Sequence, residues 1–287
     1  MHDQLLSESG MQNHPLTPMT DANIVRVLSA QTQSRVGLIR YDTIIQGIEA
    51  IRQQIAEFRD LDVRMAVTDT TSNRDLLTLG ESVSDLKLVT GGSGLALGLR
   101  PDTVNAASNL AFSIPIGKRA ILAGSCSKAT LAQIEHAKAE YPSFQLRPFD
   151  LHHDFTGVLN KALCWAREHL SQNETILIYS SGNPVEVSVA QTQLGLQHAS
   201  ELVEQALSTL AWHLVEEGVR QLIVAGGETS GSVVNALKVR ALRIGKEIEP
   251  GIPWTLGLGG SHPVALALKS GNFGATNFLT RAWNTLS

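Results

Sequence analysis

Residues 222–242 read LIVAGGETSGSVVNALKVRAL. The opening apolar run is what a strand buried on both faces of a sheet requires. The residues after Gly231 read as a helix running to the end of the stretch. Between them lies Gly-Gly-Glu-Thr-Ser-Gly, which combines backbone freedom with two hydroxyls and a carboxylate. One reading is a phosphate grip, because exposed N–H groups at a helix N-terminus attract anions and glycine lets a ligand approach the backbone. The other is a tight turn capped by the hydroxyl of Thr229 or Ser230.

The same grammar recurs on both sides. RAILAGSCSKATLAQIEHAKAE is a strand, the turn Gly124-Ser125-Cys126-Ser127 and a helix with Leu131, Ile134 and Ala137 on one face. FQLRPFD is a short strand, and DFTGVLNKALCWAREHL is a helix. TILIYSSG is a strand with the turn Ser180-Ser181-Gly182, and a long helix follows from about His198 to Glu217. IEPGIPWTLGLGGSHPVALALKSGNFGATNFLTRAW holds two strands and a terminal helix, with the turn Ser270-Gly271-Asn272-Phe273-Gly274. Strands alternating with helices predict a mostly parallel sheet covered on both faces. Turns that follow parallel strands gather at one edge, where ligands bind. Four such turns, each rich in glycine and hydroxyls, point to a nucleotide or phosphate site. Neither a GxxxxGK[ST] loop nor a GxGxxG fingerprint is present. ATP remains compatible, since phosphoryl transfer rests on positioning and charge neutralisation. Glu228 could hold Mg²⁺ directly or through water, or could complement the helix dipole.

The first hundred residues are less regular. An amphipathic helix is expected over residues 21–33 with Thr20 or Asp21 as cap, and a second over residues 41–59, where Ile44, Ile45, Ile48, Ile51, Ile55 and Phe58 fall at helical spacing. VRMAVT, residues 63–68, reads as a strand that delivers Asp69 to its end, and a helix begins in TTSNRDLLTLGE. LKLVTGGSGLALGLRPD, residues 86–102, reads as a strand, Gly91-Gly92-Ser93-Gly94, and a small-residue helix or loop. Small and polar residues with Pro115 and Gly117 place a domain boundary around residues 102–117. The expected domains are 1–110 and 118–287.

Bulk properties exclude several classes. The chain has 287 residues, 43% hydrophobic and 17% charged, with a formal charge of -4 and no clustering of Lys and Arg, which gives no footprint for nucleic acid. The two cysteines, Cys126 and Cys164, form no CxxC motif, and the nine histidines form no zinc pattern. No stretch has the length of an apolar membrane span, so a reduced, cytoplasmic setting is the expectation.

Taken together, LLSESGMQNHPLTPMTDANIVRVLSAQT, LVTGGSGLALGL, AGSCSKATLAQI, VAGGETSGSVVNAL, IEPGIPWTLG and LALKSGNFG resemble the four-carbon acid sugar kinase family over nearly the whole chain. HPLTPMTD is most similar to the branch acting on 3-oxo-tetronate, with D-threonate and D-erythronate kinases as relatives. The resemblance implies two α/β domains, each a mostly parallel sheet flanked by helices, the C-terminal one Rossmann-like and nucleotide-binding. It implies Mg²⁺ and ATP as cofactors, and phosphorylation of a four-carbon sugar acid at its terminal hydroxyl. Carried over by motif, the nucleotide contacts are Ser125, Gly226, Gly227, Glu228, Thr229, Ser230 and Gly271. The substrate side draws on Ser9, Gly10, His14, Pro15, Gly91, Gly92 and Ser93, with Asp69 as the catalytic candidate. His14 could equally cap a loop, and Asp69 a helix. Family members also carry an Asp-Asp-Leu-Thr-Gly-Ala-like turn that is not found in this sequence. The implied alternatives are a kinase completed by such a segment on another chain, and a non-catalytic nucleotide-binding remnant; the expected partners besides the sugar acid are a homodimer mate or that complementing N-terminal segment.

Overall fold

The computed structural model describes residues 4–9, 11–13, 18–99, 113–180, 182 and 192–286. The chain divides into two compact units, Met1–Ala107 and Ser108–Ser287.

In the first unit, β1 (Arg35–Ile39) and β2 (Val63–Thr68) pair in parallel, and among the described residues they form a two-stranded sheet. Helices α1 (Ile24–Ser29), α2 (Tyr41–Ile44), α3 (Ile48–Asp60) and α4 (Asn73–Ser82) accompany them. Their core is Ile39, Ile44, Ile51, Leu79 and Val83. Gly37 lies where any Cβ would press on the Phe58 ring, so its lack of a side chain lets α3 sit down on β1.

Several expectations for this half are corrected. The strand Arg35–Ile39 is additional to those read from the sequence. The first helix is shorter than residues 21–33 and is capped by the Asn23 side chain, which accepts from the Arg26 N–H. The helix expected over residues 41–59 is two helices, because Gly47 adopts a φ of 98° between them. The break shifts the helical phase, and Ile45 is left exposed. Residues 86–90 form no strand. Leu88 is 83% exposed there, so the apolar run has no neighbour to pair with. A 3₁₀ helix follows at Ser93–Gly98.

In the second unit, the strands are β3 (Lys118–Ala123), β4 (Ser143–Gln145), β5 (Ile176–Tyr179), β6 (Val219–Ala225), β7 (Ala241–Glu249), β8 (Ile252–Leu258) and β9 (Val264–Lys269). Among the described residues they form one seven-stranded sheet in the order β4-β5-β3-β6-β9-β8-β7. Neighbours from β4 to β9 are parallel, and β8 is antiparallel to both β9 and β7. The alternation of side chains across a strand sends Ala120, Leu122, Leu222, Val224 and Leu266 to one face, and Ile121, Ala123, Ile223, Ala225 and Ala267 to the other. The first face is covered by α6 (Pro148–His153), α7 (Phe155–Ser171), α8 (Leu196–Glu216) and α9 (Gly227–Ala236). The second is covered by α5 (Lys128–Lys138) and by the C-terminal turn around α10 (Phe278–Arg281), which contributes Phe278, Leu279 and Trp283. Burial on both sides explains why the central strands are continuous apolar runs rather than alternating ones.

One expectation changes here too. The helix that opens at Gly227 stops at Ala236, and Ala241 and Leu242 belong to β7. Lys238, at φ 54°, makes the stop. A non-glycine residue in the left-handed region ends the helix as glycine ordinarily does, with no signal in its identity.

Candidate functional site

The chain leaves β3 toward β4 and β5 and leaves β6 toward the opposite side of the sheet, so the carboxyl ends of β3 and β6 form a topological switch point. Crevices at such points are where open α/β sheets take ligands. The turns after β3, β6 and β9 meet here and are stitched together by backbone bonds. Gly124 and Ser125 donate N–H to the Ala225 carbonyl at 3.0 and 3.3 Å, and Gly226 donates to the Lys269 carbonyl at 2.8 Å. Ser180, after β5, donates to the Ala123 carbonyl at 2.9 Å. The Ser127 and Thr130 hydroxyls, at the start of α5, both donate to the Gly271 carbonyl, at 2.5 and 2.8 Å. Ser125, Gly226, Gly227, Glu228, Thr229, Ser230 and Gly271 are therefore brought to one edge.

The glycines are needed for two different reasons. Gly226 has a φ of 132°, a backbone conformation that side-chain-bearing residues rarely adopt, and a Cβ at Gly271 would collide with Ser125 Oγ. Gly227 is different, because a Cβ there would meet nothing within 4 Å. The backbone at the start of α9 thus faces open space.

That helix start has no side-chain cap. Ser230 Oγ donates backwards to the Gly226 carbonyl at 2.6 Å. Thr229 is buried, with its hydroxyl crowded against the positions of Gly124 and Gly226. Neither hydroxyl caps the first-turn N–H groups, which is what the tight-turn reading asks of them. Uncapped N–H groups at a helix N-terminus, with glycine at the first position, suit an anion.

The flank of the turn is acidic. Glu228 is exposed, and Ser232 Oγ donates to Glu204 Oε2 at 3.3 Å. Burial raises the Glu204 pKa; the Ser232 bond opposes this, and the nearby Glu228 and Glu201 charges add to it. Among the described residues no group of three His, Cys, Asp or Glu is arranged to hold a metal ion.

Sequence reasoning missed Lys269. It is fully buried at the end of β9, directly before the Ser270–Gly274 turn. The available signal was a lone lysine closing the otherwise apolar strand VALALK. Gln133 of α5 was missed as well, and its Nε2 donates to the carbonyls of Phe273, Gly274 and Ala275.

In the first unit the expected site residues are less closely joined. Asp69 follows β2, its N–H donates to the Ile39 carbonyl, and its Oδ2 accepts from the Tyr41 N–H at the start of α2, at 3.2 Å. The helix that follows Asp69 in the chain, α4, is capped by Ser72 instead. Ser9 Oγ donates locally to the Leu6 carbonyl. Gly91, Gly92 and Ser93 are exposed at the entry to the 3₁₀ helix. Among the described residues no hydrogen bond joins these three groups. Gly10, His14 and Pro15 lie outside the described residues. A buried carboxylate that sequence reading passed over is Asp75, in a capping box with Ser72. Its pKa is held low, first by the Thr71 N–H.

Comparison with known proteins gives two family matches. A nucleotide-binding C-terminal domain matches residues 120–279, and a sugar-binding N-terminal domain matches residues 1–99. The 3-oxo-tetronate kinases of Pseudomonas fluorescens and Burkholderia multivorans are 52% and 50% identical over 100% and 99% of this chain, which spans 67% of each. A crystal structure of a Salmonella typhimurium LT2 protein is 37% identical, with a TM-score of 0.79, covering 99% of this chain and 68% of its own. A Haemophilus influenzae protein of known structure is 36% identical, with a TM-score of 0.66, covering 99% and 69%. Among the described residues no helix is long and apolar enough to cross a membrane.

Proposed function

Since the chain belongs to the four-carbon acid sugar kinase family, we propose that it serves transfer of the γ-phosphoryl group of ATP to the terminal hydroxyl of 3-oxo-tetronate, giving 3-oxo-tetronate 4-phosphate. In this reading residues 118–287 take the nucleotide, and residues 1–110 contribute to the sugar acid site. The observation that carries the nucleotide half is the uncapped, glycine-opened start of α9 at the switch point of the sheet, beside Ser125 and Gly271.

ATP would supply the phosphoryl group, and Mg²⁺ would neutralise charge on its phosphates. The protein's part is positioning and charge stabilisation, which account for most of phosphoryl-transfer catalysis. Gly227 admits phosphate oxygens close to the backbone, and the first N–H groups of α9 face them. Glu228, exposed on the first turn of α9, would hold the magnesium ion through water. Asp69, at the end of β2, is our candidate base for the acceptor hydroxyl.

Calorimetric titration with Mg·ATP tests the nucleotide site. Gly227→Val fills the open space with a branched side chain and should weaken binding by at least roughly tenfold, the equivalent of one lost phosphate hydrogen bond. Its circular dichroism should be unchanged, since no atom outside its chain neighbours and its own helix backbone lies within 4 Å of the added Cβ. Equal affinity in variant and parent would return the turn to a purely structural role. A coupled turnover assay with 3-oxo-tetronate, D-threonate and D-erythronate then tests the acceptor.

A further inference from the structure

Lys269 belongs to none of the nucleotide contacts expected from the sequence, yet it is fully buried beside them. Its Nζ lies 2.9 Å from the Ser270 carbonyl, 3.0 Å from that of Gly271, 3.1 Å from that of Phe273, and 3.0 Å from Thr130 Oγ1. Three N–H bonds are thus shared among four oxygens, three of them from the glycine-rich loop itself. Among the described residues no carboxylate pairs with this ammonium. A buried lysine without a counter-ion is costly, and burial lowers its pKa to about 8. Such a group persists where its charge organises something that neutral residues would not.

What it organises follows from peptide geometry. The C=O of one residue and the N–H of the next share a plane and point in opposite directions. Drawing the carbonyls of Ser270, Gly271 and Phe273 inward therefore turns the N–H groups of Gly271, Asn272 and Gly274 outward. Gln133 Nε2 extends the pattern by binding the carbonyls of Phe273, Gly274 and Ala275. One outward N–H of the run is already engaged by an anionic oxygen, since Ala275 donates to Glu249 Oε2 at 2.9 Å. Successive outward N–H groups form the kind of concavity that holds phosphate oxygens.

We propose that Lys269 is a positioning residue for the nucleotide phosphates: from beneath the loop it holds the carbonyls of residues 270–273 inward, so that the amides of Gly271 and Asn272 are presented to phosphate. It does not touch the nucleotide itself. The proposal rests on the nucleotide reading of this edge.

Lys269→Met keeps most of the length of the side chain and removes its donors. Calorimetry with Mg·ATP and with inorganic tripolyphosphate should find both ligands bound at least roughly tenfold more weakly by the variant, with circular dichroism unchanged. Parent protein that fails to bind Mg·ATP would overturn the nucleotide reading itself. Parent that binds, with a folded variant that binds equally well, would overturn only the role of Lys269. A second measurement covers a variant that does not fold. From about pH 7 to about pH 9 the parent's Lys269 loses its proton while Mg·ATP stays fully ionised, and burial holds the thiol of Cys126, on the neighbouring turn, above its ordinary range. Affinity for Mg·ATP should fall several-fold across that span. Stability should move the other way. The unfolded lysine keeps its proton up to its ordinary pKa of 10.5, so above about pH 8 the unfolded state binds more protons and stability rises with pH. Weaker binding by a more stable protein separates positioning from general loosening, whereas affinity unchanged over this range would overturn the proposal.

Discussion

At Thr229 the hydroxyl of a phosphate-type turn faces into the protein. It is buried against Gly124 and Gly226, two glycines separated by more than a hundred residues that both leave room for it. A methyl group on Gly124 would strike Thr229 Oγ1 and press on Leu207. Gly124→Ala should therefore destabilise the protein by about 1–3 kcal/mol, the usual cost of overpacking a tight interior. Thr229→Ala removes the oxygen that Gly124→Ala meets, so the double variant should be more stable than the sum of the two single effects allows. Urea denaturation of the four proteins measures this, and strict additivity would show that the two positions do not share space. Lys269 makes the same point, because its identity is plain in the sequence while its four oxygen partners are set by the fold.

Among the elements, the helices with strong caps and the strands with long apolar runs were legible. Ser127 and Asp154 accept from N–H groups in the first turns of α5 and α7, as short polar residues before an apolar periodicity suggest. What was not legible were elements defined by a neighbour. Arg35–Ile39 is five residues with a central glycine, and it becomes a strand because β2 pairs with it. Residues 86–90 carry strand-forming side chains but have no partner strand among the described residues. The glycines of LVTGGSGLALGL also act elsewhere than expected. Gly98 and Gly80 pack backbone to backbone where the 3₁₀ helix crosses α4, and a Cβ on either would overlap the other chain segment. Gly98→Ala should lower the stability of this first unit by about 1–3 kcal/mol. Hydrogen exchange in α4 would report it, and unchanged protection there would show that the crossing yields.

At the scale of the whole molecule, each unit holds its own core. Both clusters on the two faces of the seven-stranded sheet draw their buried side chains from within Ser108–Ser287, and the N-terminal cluster draws its own from residues 39–83. A fragment of residues 113–287 should therefore unfold in one cooperative transition. The loop contacts at the switch point are also internal to it, so it should retain Mg·ATP affinity within about threefold of the full chain. Thermal denaturation and calorimetry on the fragment check both expectations. A non-cooperative melt would mean that the division of the chain is not a division of stability.

The sequence by itself determined the alternation of buried strands and amphipathic helices, the parallel character of the large sheet, and the chemistry of its turns. These follow from local rules: apolar runs must be buried, polar side chains cap helices, and glycine alone tolerates certain backbone angles. Only the tertiary structure decided which turns touch, that the Thr229 hydroxyl faces the interior, and which oxygens surround a buried lysine. The Thr130 to Gly271 bond spans 141 residues, and that from Lys269 to Thr130 spans 139. Such contacts depend on strand order, and strand order is a choice among sheet arrangements that all bury the same apolar side chains.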